Sequence, residues 1–117
     1  MSILNTLSSR FYDLDEVVRK NTYRTFLKLC ETQEGVDAVL NLFLFNRLVK
    51  LIDDEKMSLK SIILEVIAKC IRYGKPKVMP NAALKLNIIV FFKSLLLSGV
   101  NSEKVRIATC KCVQALW

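Results

Sequence analysis

One twelve-residue pattern occurs three times in this chain of 117 residues, starting at Val18, Leu59 and Val105. The copies read VRKNTYRTFLKL, LKSIILEVIAKC and VRIATCKCVQAL, and they align without gaps. Each opens with an apolar residue and a base, and apolar or small residues follow at spacings of three and four, on one face of a helix. The copies start 41 and 46 residues apart, a period that indicates stacked helical repeats.

The aligned positions predict which side chains of the three helices are buried. They are Thr22, Tyr23, Phe26 and Leu29 in the first copy, Ile63, Leu64, Ile67 and Cys70 in the second, and Thr109, Cys110, Val113 and Leu116 in the third.

The Cys110-Lys111-Cys112 triplet looks like a metal or redox motif when it is read alone. Positions two apart on a helix project about 200° from each other, so the two thiols cannot hold one metal together. The alignment pairs Cys110 with Tyr23 and Leu64, at a predicted core position. We therefore predict that the triplet belongs to the packing pattern of the helix and is not a metal or redox site.

An apolar helix and a polar turn precede each copy. LFNRLVKLIDDEKMS runs from Leu44 to Ser58, and IIVFFKSLLLSGVNSEK runs from Ile88 to Lys104. Three apolar positions match at a shift of 44 residues, and SILNTL near the start supplies a shorter equivalent. The matched pairs are Leu48 with Phe92, Leu51 with Leu95 and Ile52 with Leu96, and the shorter equivalent uses Ile3, Leu4 and Leu7.

The short stretches EGVDAVLNL and PNAALKL predict a third helix in each of the later units, which is the armadillo arrangement. RYGKPKVMPN is predicted to break a helix, Gly99 to stop one, and Ser102 to cap the next. No stretch of six or more residues alternates with a period of two. We predict one all-α domain, an armadillo/HEAT-like right-handed solenoid of about three repeats with units 1–33, 34–75 and 76–117.

Composition indicates a globular protein, since 52% of the residues are hydrophobic and 25% are charged. The longest apolar stretch, from Leu86 to Val100, contains Lys93 and is shorter than the roughly 20 residues of a membrane span. The first residues lack the pattern of a secretory signal. Four cysteines in helical patterns favour buried free thiols over disulfides. We expect a cytoplasmic protein.

The alternation of LVKLI with LKSIILEVIAKC resembles the armadillo-repeat family. VVRKNTYRTFLKLCETQEGVDAVLNLFLFNRLVKL and NIIVFFKSLLLSGVNSEKVRIATCKCVQAL further resemble the C-terminal half of the radial spoke head 14 homologues, armadillo proteins of motile cilia. The likeness rests on Val18, Arg19, Asn21, Tyr23, Gly35, Ala38, Leu48, Val49, Lys93, Leu95, Leu96, Arg106 and Ala108.

The resemblance implies a structural role, because radial spokes link the outer doublet microtubules to the central apparatus of the axoneme. A member of this family there acts as an adaptor that binds other subunits. One departure from the family concerns Phe43, which stands where armadillo units usually place a glycine between their first two helices.

The residues also argue against catalysis. The chain has no histidine to serve as the base of a nucleophile–base pair. Three glycines, at positions 35, 74 and 99, cannot form a glycine-rich phosphate loop. The carboxylates Asp53, Asp54 and Glu55 lie in a polar turn, where helix capping and solvated charge are the expected roles. We predict no enzyme activity, no cofactor and no metal.

Basic residues are the better candidates for a binding site. Armadillo proteins that bind extended peptides present a tryptophan and an asparagine from the third helix of each unit. Here Arg24, Glu65 and Lys111 stand at the tryptophan positions, and Lys28, Lys69 and Ala115 stand at the asparagine positions. The usual peptide ladder is therefore absent. The bases on these faces predict a surface that binds an acidic strip on a partner protein. The alternative is that they are only solvated surface charges. They are Arg24, Lys28, Lys69 and Lys111.

Two alternatives remain from the residues alone. The net charge of +7 also fits a generic intracellular adaptor or a non-specific nucleic-acid binder, but most aromatic residues stand at core-type positions, which leaves few stacking platforms. At the end of the chain, Trp117 is a candidate anchor for a partner that covers an open solenoid end, and folding back over Val113 and Leu116 is the alternative.

Overall fold

The computed structural model describes residues 3–78, 81–99 and 101–116, apart from the side chain of Ile3. Over these residues the backbone is helical between short turns and contains no strand, which confirms the all-α prediction. The helices are α1 (Ile3–Ser8), α2 (Glu16–Leu29), α3 (Gln33–Asn41), α4 (Leu44–Asp54), α5 (Met57–Val78), α6 (Ala82–Leu97) and α7 (Glu103–Ala115), with a 3₁₀ turn at Ser9–Tyr12.

Polar side chains fix the first residue of four helices by accepting a hydrogen bond from a backbone amide that the helix itself leaves unpaired. The Ser102 cap was predicted from the sequence and is confirmed. The bonds run from Val17 N to Asp15 at 2.8 Å, from Gly35 N to Thr32 at 3.0 Å, from Leu84 N to Asn81 at 3.0 Å and from Val105 N to Ser102 at 3.4 Å.

Helix α5, the second repeat copy, lies at the centre of the fold and packs against α2, α3, α4 and α7. Its contacts with α2 show that the two helices run in parallel. Near their first turns, Lys56 Nζ lies 3.3 Å from Glu16 Oε1. Farther along, Cys30, just after α2, places its Sγ 4.0 Å from that of Cys70.

Helix α7, the third copy, lies along the other side of α5, also in parallel. The amide of Ser102 donates to Met57 Sδ at 3.4 Å at the start of both helices. Farther along, Cys112 Sγ lies 3.1 Å from the carbonyl oxygen of Leu64. The three repeated helices therefore lie side by side in chain order.

This order corrects the prediction for the two cysteines of α7. Cys110 is exposed and Cys112 is buried, whereas the alignment put Cys110 in the core. Helix α5 is covered on both sides, so Leu64 and Val66 are both buried. Helix α7 is covered on the α5 side, which is the side of Cys112, and its opposite side faces solvent at Cys110.

The break in the third repeat also differs from the prediction. The stretch PNAALKL, expected to form a separate short helix, instead enters α6 at Ala82 and continues without interruption. From Ala82 onward α6 contains no glycine or proline, so nothing ends the helix before Leu97. In α5, by contrast, the predicted break is seen at Gly74, where φ is −131° and ψ is 24°, and helical turns resume up to Val78.

Phe43 joins α3 to α4 in the left-handed conformation, with φ 58° and ψ 32°, and its side chain is 80% exposed. The left-handed conformation costs a residue with a Cβ roughly 1–2 kcal/mol of strain. A glycine avoids this strain but loses more backbone entropy on folding, which costs about 0.5–1 kcal/mol. We expect Phe43→Gly to raise the free energy of unfolding by about 0.5–1 kcal/mol in urea denaturation. Tyr12→Gly, at another exposed aromatic, is the control and should give no gain; a loss at Phe43→Gly would contradict the prediction.

Within the described residues, no helix combines the length and apolar character that crossing a membrane requires.

Candidate protein-binding groove

A groove of about 500 Å³ lies across the exposed faces of α2, α5 and α7. Both the tryptophan and the asparagine positions of the second and third copies line it, so residues 46 apart in sequence become neighbours. Its lining combines apolar and charged side chains. The lining residues are Leu27, Glu31, Glu65, Ala68, Lys69, Arg72, Lys111, Gln114 and Ala115.

The predicted binding residues do not all lie in this groove. Lys69 and Lys111 line it, and Lys28 reaches its edge through Glu31. Arg24 lies on the other side of α2, in a shallower depression of about 800 Å³ that Lys28 also lines. Trp117 lies outside the described residues.

Glutamates stand between the predicted bases: besides Glu65, which the alignment already placed in this row, Glu31 interrupts it. Glu31 Oε atoms lie 3.4 Å from Lys28 Nζ and 3.8 Å from Lys69 Nζ. Glu65 accepts a hydrogen bond from Lys111 Nζ at 2.8 Å. Alignment of the copies could not show this pairing, because the partners lie on different helices. Glu31 also follows the end of the first copy, outside the aligned pattern.

These ion pairs leave the groove chemically accessible. The side chains of Lys111 and Glu31 are about half exposed, and exposed pairs of this kind contribute at most about 1 kcal/mol each. A charged segment of a partner can therefore exchange with either member at low cost. Three bases and two acids line the groove, which gives it a small positive excess.

The buried thiols of Cys30, Cys70 and Cys112 pack in the core. Burial raises the pKa of Cys112 to about 12, so this thiol is neutral at pH 7. The pKa of Cys70 is likewise raised, by its hydrogen bond with Cys30 and by burial. Cys110 and Cys112 project to opposite sides of α7, as their spacing predicts. Among the described residues, no three potential metal ligands of the His, Cys, Asp and Glu types come together.

A buried charged cluster fixes α2 to the α4–α5 junction. Arg19 donates from Nε and Nη2 to the two carboxylate oxygens of Glu55, each at 3.0 Å. The Tyr23 hydroxyl donates to Glu55 Oε2 at 2.5 Å. The Glu55 side chain is only 4% exposed, so its predicted role as a solvated turn charge is wrong, whereas Asp53 and Asp54 are exposed.

Burial and hydrogen bonding act in opposite directions on this carboxylate. Burial disfavours the charged form of Glu55, but the bonds from Arg19, Tyr23 and the backbone outweigh it and lower its pKa. The pKa of Tyr23 is raised by burial and by its bond to Glu55, and the pKa of Arg19 is raised mainly by the same carboxylate. At neutral pH Glu55 and Arg19 are therefore charged and Tyr23 is neutral, and the cluster has a structural role.

The base that opens the repeated pattern also has a structural role. Arg19 Nη1 donates to the carbonyl of Asp13 at 2.8 Å, and Arg106 Nη2 donates to the carbonyl of Ser98 at 3.2 Å. Each arginine therefore binds the loop in front of its own helix. In the first and third copies this contact accounts for the base without a binding function.

Comparisons with protein-family models, with curated proteins and with solved structures gave no match to this chain.

Proposed function

We propose that the chain is a non-catalytic adaptor that binds an extended, acidic segment of another protein in the groove between α2, α5 and α7. One observation carries this proposal: the groove is lined by the same two positions of successive copies, Glu65 with Lys111 and Lys69 with Ala115. Repetition of one position along a groove suits a ligand that is itself periodic, which an extended peptide is.

An armadillo-like solenoid is the architecture that we propose for this adaptor. The parallel packing of α2, α5 and α7 in chain order supports it, as does the left-handed residue between α3 and α4. Phe43 adopts there the conformation for which a glycine is usual in armadillo units. In this interpretation, α3, α4 and α5 form one complete three-helix unit.

The partner's chemistry follows from the groove. The positions that hold tryptophan and asparagine in peptide-binding armadillo proteins hold charged residues or alanine here, so side-chain charges replace the backbone clamp. Lys69, Arg72 and Lys111 outnumber Glu31 and Glu65 along the lining. An acidic segment is therefore preferred, with contacts that weaken as salt rises.

The resemblance to radial spoke proteins adds a cellular setting to the proposal. We place the adaptor in the axoneme of motile cilia, where it would join spoke subunits. A generic intracellular adaptor with the same groove is the alternative, and the identity of the captured protein distinguishes the two.

Reversing one charge of the groove, Lys69, and one at its edge, Lys28, tests the binding surface. We expect Lys28→Glu with Lys69→Glu to reduce capture of partner proteins from a ciliated-cell extract at least tenfold, as measured by quantitative mass spectrometry. Both new carboxylates would stand beside Glu31 and repel an acidic segment.

Arg47→Glu with Lys50→Glu is the matched control, because it changes the net charge equally at exposed positions of α4. Circular dichroism checks that both variants remain helical. Equal capture by the groove variant and the wild-type chain would exclude the groove. An electrophoretic shift with nucleic acid that persists at moderate salt would favour the nucleic-acid alternative instead.

A further inference from the structure

Helix α6 presents an unusual amount of apolar surface. Its apolar residues are spread around its whole circumference, yet Phe92 and Leu95 are its only buried residues among those described. A helix of this composition is normally covered on all sides, and large exposed apolar patches mark interaction sites. On one side of the helix the exposed fractions are 60% for Leu86, 40% for Ile89, 57% for Val90 and 74% for Leu97.

The chain itself shows what covers such a helix. The matching helix 44 residues earlier is α4, against which α3 packs. Phe45 of α4 is 7% exposed, whereas its counterpart Ile89 in α6 is 40% exposed. In the described residues α6 has no counterpart of α3, because residues 82–87 continue α6 itself.

A small cavity marks the uncovered place. About 90 Å³ lies open between α6 and α7, lined by Lys85, Ile89, Val113 and Leu116. A helix lying there would touch α6 and α7 together, as α3 touches α4 and α5.

Charge indicates what kind of helix fits. Helix α6 carries Lys85 and Lys93 and no acid, and residues 81–117 contain five bases against one acid, Glu103. Helix α3 has the opposite character: it carries Glu34 and Asp37 and no base, and Asp37 lies 3.7 Å from Lys77. The helix that covers α4 in this chain, α3, is thus acidic and amphipathic.

We propose that the exposed side of α6 binds a short, acidic, amphipathic helix of a partner protein, in the place that α3 occupies on α4. A symmetric pair of copies would set Lys85 and Lys93 against the same lysines, which disfavours a second copy as the occupant. This surface is separate from the α2–α5–α7 groove, so one chain binds two partners at once.

A helical probe tests this proposal directly. The probe is a fluorescein-labelled peptide with the sequence TQEGVDAVLNL of residues 32–42, held helical by a hydrocarbon staple because isolated helices of this length are marginal in water. A second peptide carries Glu34→Gln and Asp37→Asn. Fluorescence anisotropy with the full chain should show saturable binding of the acidic peptide and at least tenfold weaker binding of the neutral one.

Variants of the chain locate the site. Ile89→Arg should weaken binding at least tenfold, and Lys85→Glu with Lys93→Glu, which alters only exposed charges, should do the same. Leu14→Arg, at a side chain that is 99% exposed elsewhere, should change nothing. The groove variant with Lys28→Glu and Lys69→Glu should bind the probe normally, so a failure of the groove proposal is separable from a failure of this one.

Three outcomes would overturn the proposal. The first is absence of binding, or binding that is unchanged in both α6 variants, since the peptide would then occupy the site of α3 itself. The second is a wild-type dimer in light scattering that Ile89→Arg converts to monomer, which would identify a second copy as the cover. The third is binding to anionic lipid vesicles, lost in Ile89→Arg, without binding of the peptide.

Discussion

Replacing Glu55 with alanine should lower the free energy of unfolding by about 3 kcal/mol, because it removes one member of a buried ion pair and leaves the others without their partner. Arg19 would keep its charge in a site where its side chain is 15% exposed, and the Tyr23 hydroxyl would lose its 2.5 Å acceptor. Chemical denaturation followed by circular dichroism measures the change.

Asp54→Ala is the matched control, since this neighbouring carboxylate is exposed, and it should change stability by less than about 0.5 kcal/mol. Glu55→Gln should fall between the two, because it keeps an acceptor but loses the charge. Equal effects of Glu55→Ala and Asp54→Ala would mean that the cluster does not hold α2 to the α4–α5 junction.

The same cluster sets a pH dependence at each end of the scale. Because the folded pKa of Glu55 is lowered, its contribution is complete above the unfolded value of about 4.3 and is lost as pH falls through the folded value. Because the pKa of Tyr23 is raised, its contribution is lost as pH rises above about 10. When the free energy of unfolding is plotted against pH, Glu55→Gln should reduce its fall at acid pH. Tyr23→Phe should reduce its fall at alkaline pH.

Replacing Gly35 with alanine should destabilise the fold by about 2–3 kcal/mol through overpacking. A Cβ at this buried position would overlap the backbone carbonyl oxygen and carbon of Leu29, at the end of α2. Backbone atoms cannot rotate away as a side chain can, so α3 would have to shift from the end of α2. Thermal or urea unfolding measures the loss.

Gly99→Ala provides the control, because no atom lies within 4 Å of a Cβ built there. It should leave stability within about 0.5 kcal/mol of the wild-type value. A Gly35→Ala protein as stable as Gly99→Ala would contradict the close approach of α2 and α3.

The sequence predicted the features that depend on local pattern. Helical spacing located the three copies, and turn chemistry located the Ser102 cap and the break at Gly74. It also placed Lys69 and Lys111 on matching faces, because repeated helices that pack in parallel bring the same positions together.

Features that depend on neighbours in space were missed. The alignment gave Cys110 and Leu64 one environment, yet α5 lies between two other repeated helices, α2 and α7, whereas α7 packs against one repeated helix, α5. Glu55 looked like a turn carboxylate, because its partner Arg19 is 36 residues away in sequence. The pairing of Glu65 with Lys111 was missed for the same reason, because the two residues are 46 apart in sequence.

The position of the ligand on the chain tests the adaptor proposal most directly. A nitrogen-15-labelled chain can be titrated with the acidic segment of a protein that the wild type captures and the Lys28→Glu, Lys69→Glu variant does not. The amide shifts should concentrate at Glu31, Glu65, Lys69, Arg72 and Lys111, the charged residues of the groove. Shifts confined to another surface, or the lack of any protein captured in this charge-dependent way, would contradict the proposal.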